Sequence, residues 1–136
     1  MPGLNPYLQL RGEAREALDF YHGVFGGEAS AMTYADAGGM GLPQGEQHLV
    51  MHASLDAGPQ LRLMLADLTD DAPDAPNGVI MLSGPADDGP TLTRWFEALA
   101  DGGSVAVPLE LAPWGDHYGQ VTDRFGVSWM VDFGDA

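Results

Sequence analysis

The sequence predicts an α+β fold in which one β-α-β-β-β unit is used twice. Three observations predict it. Two amphipathic helical stretches each end in a Gly-Gly pair, Gly26-Gly27 and Gly102-Gly103. Each stretch is preceded by one short apolar run and followed by three. The aromatic pair Phe20-Tyr21 in the first stretch is matched by Trp95-Phe96 in the second.

The first unit opens with a strand over Pro6 to Leu10. A helix follows over Glu13 to Phe25, where Ala14, Ala17, Leu18, Tyr21, Val24 and Phe25 recur at helical spacing on one face. Gly26-Gly27 stops it, as glycine past a helix end does. Gly23 within it costs roughly 1 kcal/mol against alanine and loosens the last turn. Strands follow over Glu28 to Tyr34, His48 to Leu55 and Gln60 to Ala66. In the last of these, Gln60-Leu61-Arg62-Leu63-Met64-Leu65 alternates so that leucines line one face. The loop Ala35 to Gln47 is glycine-rich and reads as a surface loop, with covering a pocket mouth as the alternative.

The second unit repeats this order. A strand covers Val79 to Ser83. A helix covers Pro90 to Ala100, with proline suited to its first position, Asp88 or Gly89 available to cap it, and Leu92, Trp95, Phe96 and Leu99 as its buried stripe. Strands follow over Ser104 to Leu111, His117 to Thr122 and Ser128 to Phe133. The last two flank Asp123-Arg124-Phe125-Gly126, a tight-turn sequence with Asp first and Gly fourth. The domain reading is therefore a single domain over 1–136. Its first module is 1–67, its linker 68–78 and its second module 79–136. The linker is rich in Asp, Pro and Ala and reads as solvated. Its aspartates lack the alternating spacing and closing glutamate of an EF-hand, so calcium is not expected.

Composition narrows the function classes. The chain carries 20 acidic and 5 basic residues, every base an arginine, for a net charge of −15. Such a surface repels phosphate backbones and anionic lipid, so neither nucleic acid nor membrane is an expected partner. It favours cationic ligands, although a plain solubility role accounts for it equally. No apolar run approaches the ~20 residues of a membrane span, and the start of the chain does not read as a signal peptide; a cytoplasmic location is expected. With no cysteine, disulfides, thiolate metal sites and cysteine nucleophiles are excluded. There is no phosphate-binding glycine loop and no Gly-x-Ser-x-Gly elbow.

The residues with pocket character gather late in the chain. Trp114-Gly115-Asp116-His117-Tyr118 and the later Trp129 supply aromatic walls with a few polar groups, which is what a small-molecule pocket needs. From the first unit His52 and Met64 join them. The ligand-pocket candidates are His52, Met64, Trp114, Asp116, Tyr118 and Trp129. Trp114 and Trp129 serve equally as core or dimer contacts. Asp116 reads also as a turn residue, and Asp123 as a turn former. Met64, Met81 and Met130 suit a core or an irregular apolar pocket.

An ordered set of residues resembles a known family. Pro6-Tyr7-Leu8, Ala17-Leu18-Asp19-Phe20-Tyr21, Val24-Phe25-Gly26-Gly27-Glu28, Met51-His52-Ala53, Leu99 to Gly103, Pro108-Leu109, Trp114-Gly115-Asp116 and Asp123 to Trp129 together look like the vicinal oxygen chelate superfamily: glyoxalase I, bleomycin-resistance proteins and extradiol dioxygenases. They look most like its PhnB-like branch. The resemblance implies two βαβββ modules forming a curved mixed sheet with a cleft, and a homodimer. It also implies four metal-ligand positions. These fall here at Pro6, at or beside Val79, at Met130 and, as an offset survivor, at Asp67. Three of the four are apolar, so no metal and no cofactor is expected. Some relatives carry a methyltransferase label, but nothing here resembles a nucleotide-binding glycine loop.

Two readings follow. The first is a metal-free small-molecule-binding protein of the glyoxalase/bleomycin-resistance type, with a small organic molecule as its partner. The alternative is a lyase, isomerase or dioxygenase. That enzyme would use a rearranged metal site, such as His52 with His117 and Asp116, or His52 alone as acid or base. His52 is the best catalytic candidate, with Tyr118 as a hydrogen-bond donor to a carbonyl or oxyanion. His48 and His52 lie four residues apart on a strand, about 13 Å, so they cannot share one zinc ion.

Overall fold

A computed structural model describes residues 3–135; the outer bounds of the two predicted modules, at residues 1–2 and 136, lie outside them. The chain forms two compact units whose boundary falls between Asn77 and Gly78.

The first unit runs β1 (Tyr7–Leu10), α1 (Ala14–Phe25), β2 (Glu28–Thr33), β3 (Val50–Asp56) and β4 (Arg62–Asp67), with a short 3₁₀ turn at Gln44–Glu46. The second runs β5 (Val79–Gly84), a 3₁₀ turn at Ala86–Asp88, α2 (Gly89–Ala100), β6 (Ser104–Leu111), β7 (His117–Thr122) and β8 (Ser128–Phe133). Each unit is a four-stranded mixed sheet, ordered β1-β4-β3-β2 and β5-β8-β7-β6. In each, the first and last strands pair in parallel and the remaining neighbours antiparallel. The predicted duplication is therefore present at the level of topology. The element ends shift by one or two residues. The largest differences are at the starts of β3 and β4, each two residues later than expected; β3 begins at Val50 and leaves His48 in the preceding loop.

Each helix covers one face of its own sheet. Ala14, Ala17, Leu18 and Tyr21 of α1 are buried with Leu8, Leu10, Val50, Ala53, Leu55, Leu63 and Leu65. Leu92, Phe96 and Leu99 of α2 are buried with Val121, Trp129 and Val131. The period-2 pattern of the strands then leaves the opposite face of each sheet facing outward. Trp95 sits at the margin of the α2 stripe, half-buried.

The Gly-Gly stops have a shared role. Gly26 takes φ 74° and donates its N–H to the His22 carbonyl at 2.8 Å, closing α1. In each pair the second glycine lies against a neighbouring strand end: a Cβ on Gly27 would collide with the Asp56 carbonyl, and one on Gly103 with the Thr122 carbonyl. These contacts bring the first residue of β2 level with the end of β3, and that of β6 level with the end of β7.

Residues 68–77 are strapped to the first unit. The Arg11 guanidinium donates to the Thr69 and Ala72 carbonyls and to Asp74. Asn77 exchanges two hydrogen bonds with the Gln9 backbone, and buried Glu46 accepts from the Asp70 N–H at 2.7 Å. The glycine-rich loop before β3 is likewise internally tied, because the Gln47 amide donates to the Gly39 and Leu42 carbonyls. That clasp gives the loop a fixed shape of its own.

Candidate functional site

In the first unit the outward face carries Tyr7 from β1, Met64 from β4, His52 and Ser54 from β3, and Ser30 and Met32 from β2, placed by the register Tyr7↔Met64↔Ser54↔Ser30. His52 is exposed, and its ring lies 6.1 Å from that of Tyr7 at a 30° tilt. Partial burial, with a smaller contribution from Tyr34, holds the Tyr7 phenol above its usual range. His52 and Met64, both expected at a pocket, thus share one face.

The second unit places the later candidates. The β7–β8 register sets Tyr118 directly opposite Asp132. The hairpin of residues 112–116 closes through Ala112 N–H to the Asp116 carbonyl at 2.7 Å, with Gly115 at φ 104°. It lifts Trp114 into solvent at 58% exposure and sets its ring edge-on to Tyr118, centroids 5.7 Å apart. The Asp116 carboxyl lies where a Cβ on Gly134 would stand, just past the end of β8, and it and the Trp114 side chain both act on the Asp132 carboxyl. Trp114, Asp116 and Tyr118 therefore come together, joined by Asp132, which the residue pattern alone had not singled out. A signal for it existed. With Thr122 and Ser128 closing the hairpin, counting back along β7 and forward along β8 brings Tyr118 to Asp132.

Trp129 goes elsewhere. It points to the helix-covered face and is 2% exposed. Its indole N–H donates to Asp123 Oδ2 at 2.8 Å. It is a core residue, not a pocket wall, because alternation along β8 puts it on the other side from Met130 and Asp132. His117 also faces the helix side, stacked flat on Phe133 at 4.9 Å, in a groove of about 300 Å³ with Phe96 and Glu97 of α2. His117 and Asp116 thus lie on opposite faces of their sheet, which disfavours the rearranged site that combined them.

Asp132 carries the clearest electrostatic signature. Partial burial first, then the hydrogen bond and the charge of Asp116, push its carboxyl above the usual aspartate range; the Trp114 hydrogen bond opposes them. A carboxyl raised in the folded state binds its proton more tightly folded than unfolded. Stability therefore falls as pH climbs from the ordinary aspartate value through the raised one. The Asp132→Asn variant is expected to melt above the parent at pH 7, with the gap closing once pH drops below the ordinary carboxylate range. Parallel melts at pH 3 and pH 7 check this, and a gap equal at both pH values contradicts it.

Residues 3–131 match the Glyoxalase/Bleomycin resistance protein/Dioxygenase superfamily. The chain belongs to this superfamily. The crystal structure of PA1353 from Pseudomonas aeruginosa is 34% identical, covers 100% of both chains and superimposes with a TM-score of 0.83. Protein YjdN of Escherichia coli is 27% identical over 95% of this chain and 93% of its own length. A Bacillus cereus structure titled as a putative 3-demethylubiquinone-9 3-methyltransferase, PhnB protein, shares the fold at 22% identity and a TM-score of 0.72, over 98% of this chain and 100% of that one.

The metal that this superfamily implies does not fit these residues. Of the four positions the resemblance picks out, Pro6 and Val79 offer no donor and Met130 only a thioether. Asp67 is 6% exposed and already spent, accepting the Ala14 N–H at the start of α1 and the Val50 N–H at the start of β3, both at 2.9 Å. Among the described residues no group of three His, Asp or Glu side chains is arranged to hold an ion. Among the described residues, no helix is long and apolar enough to cross a membrane.

Proposed function

We propose that this superfamily member is a metal-free small-molecule-binding protein, placed in the PhnB-like branch by the ordered residue set described above. The ligand is a small organic molecule that rests against the Trp114–Tyr118 ring pair. One observation carries this reading. Trp114 is exposed over half its surface, and the hairpin holds its ring edge-on to that of Tyr118, which stands directly opposite Asp132 in the register. Aromatic walls with a few fixed polar groups are the composition of a ligand site. The chemistry of Pro6, Val79 and Met130, and the two backbone N–H groups that Asp67 already accepts, support binding over metal-dependent chemistry.

In this reading the protein works as a cytoplasmic homodimer with no nucleic-acid or membrane partner. The exposed Val79, Met81, Val105 and Val107 offer apolar surface for a second copy to bury, and the net charge of −15 opposes polyanions.

The test is a thermal-shift and tryptophan-fluorescence screen of small organic molecules. A ligand at 100 times its Kd raises stability by about 2.7 kcal/mol. The Trp114→Ala variant is expected to fold normally and to weaken a screened ligand at least tenfold, the scale of a lost aromatic contact of about 1.5 kcal/mol. Undiminished affinity in that variant removes the site from consideration. A second reading, acid or base catalysis by His52, is favoured by its exposed ring beside Tyr7. Turnover of a screened molecule that is lost with His52→Ala while the molecule still binds supports the enzyme and overturns the binding reading. Stoichiometric metal that disappears with His52→Ala does the same for a rearranged metal site.

A further inference from the structure

We propose that Asn77 is a modification site. When residues 68–77 leave β1, the Gly78 nitrogen converts the Asn77 amide to a carboxylate, and the product cannot close the segment again. The inference is independent of the proposed ligand site. One observation that carries it lies in the sequence. The chain has two asparagines. Asn5 precedes Pro6, whose nitrogen has no proton to lose. Asn77 precedes Gly78, which has no side chain to shield its nitrogen, and the space where a Cβ would stand is open. In the reaction the Gly78 nitrogen loses its proton and bonds to Asn77 Cγ, the Cγ–Nδ2 bond breaks, and ammonia leaves. Water then opens the five-membered imide at either carbonyl, giving aspartate or isoaspartate. One water is consumed and one ammonia released.

The second observation is the hydrogen bonding, which sets when this happens. β1 is an edge strand of its sheet. Its flanking carbonyls at Pro6 and Leu10 accept from the Met64 and Leu68 N–H groups, on the side of β4. Gln9 has the opposite parity, so its N–H and carbonyl point to the free edge. The Asn77 amide covers both groups. Its Oδ1 accepts the Gln9 N–H at 2.8 Å, and its Nδ2 donates to the Gln9 carbonyl at 3.1 Å. One side chain thus stands in for a neighbouring strand and blunts the edge. The Arg11 guanidinium holds the same segment through Thr69, Ala72 and Asp74. While this clasp is shut, the amide is committed to Gln9 and withheld from the Gly78 nitrogen. After conversion, the carboxylate has no hydrogen to donate and meets the Gln9 carbonyl with an oxygen. The edge of β1, the strand that carries Tyr7, then stays uncovered.

The experiment has two parts, both on the full chain. In the first, the protein is aged in mildly alkaline buffer, and peptide mass spectrometry follows the amide-to-acid mass change at Asn77, with Asn5 as the internal control. Conversion is expected to run roughly tenfold or more faster in concentrated urea than in the folded chain, because the clasp no longer holds the amide. The Arg11→Ala variant, folded, is expected to convert roughly fivefold faster than the parent, the scale of lost local hydrogen bonds. Asp74→Ala, at an exposed position, repeats the release in a second variant if the first fails to fold. Equal rates in the folded and unfolded chain, no conversion at Asn77 in urea, or equal conversion at Asn5 overturns the proposal. In the second part, hydrogen exchange follows the Gln9 N–H in the Asn77→Asp variant, a homogeneous equivalent of the product. Exchange is expected to be roughly tenfold faster than in the parent. An unchanged rate would mean that the carboxylate still covers the edge, and the one-way step falls.

Discussion

The Asp123→Ala variant is expected to lose about 3–4 kcal/mol of stability and to melt roughly 10 °C or more below the parent. Asp123 is 3% exposed, and its two oxygens serve three donors: the Phe125 and Val127 N–H groups, at 2.8 and 3.1 Å, and the Trp129 indole N–H at 2.8 Å. The substitution releases the β7–β8 turn and strands an indole donor in a core that is itself 2% exposed at Trp129. Removing one partner from a buried set costs the desolvation of whatever is left unpaired, and the cost is larger for a charged acceptor. The Asp123→Asn variant separates the two roles. One amide oxygen continues to accept from the turn, but the NH₂ group then faces the indole donor, and an intermediate loss of about 2 kcal/mol is expected. Denaturant unfolding measures both, and near-ultraviolet circular dichroism reports the tryptophan environment. A loss under 1 kcal/mol for the alanine variant contradicts this account of the turn.

The same carboxylate shows why so much of the fold was legible in the sequence. Asp-Arg-Phe-Gly between two alternating runs specifies a tight turn by local chemistry, and the structure closes it through the Gly126 N–H to the Asp123 carbonyl. The helices were legible for a similar reason. Their apolar stripes at Ala14, Ala17, Leu18 and Tyr21, and at Leu92, Phe96 and Leu99, are set by the helical period itself. Those signals are local, and the duplication turned two sets of them into a topology.

The site was less legible, and the reason lies in parity. Trp129 and Met130 are adjacent in sequence but lie on opposite faces, so a tryptophan rich in pocket character entered the core while its neighbour stayed outside. The register that decides this is fixed by the turn, because a slip of one residue exchanges the faces. Asp132 went unnoticed because nothing next to it in sequence is polar or aromatic enough to draw attention apart from Phe133. Its partners, Tyr118, Asp116 and Trp114, arrive from β7 and the hairpin before it. Asp67 went the other way. The family resemblance lent it ligand character, whereas the structure uses it to join the start of α1 to the start of β3.

The glycine stops offer the second large effect, and they allow strain and collision to be separated. Gly26 has φ 74° with open space where a Cβ would stand; Gly103 has no positive φ but faces the Thr122 carbonyl; Gly27 combines φ 84° with the Asp56 carbonyl and the Ala57 Cα. Alanine at Gly26 is expected to cost about 1–2 kcal/mol for the left-handed backbone alone. Alanine at Gly103 is expected to cost about 1–3 kcal/mol for displaced backbone alone. The Gly27→Ala variant carries both, and backbone cannot yield as a side-chain tip does, so a loss of about 3–5 kcal/mol is expected, near the sum of the other two. Equilibrium denaturation of the three single variants reads this directly. A Gly27→Ala loss no larger than that of Gly26→Ala would mean that α1 and the end of β3 separate freely. The close approach that sets the first residue of β2 level with Asp56 would then have no part in fixing the register of the sheet on which His52 and Met64 are displayed.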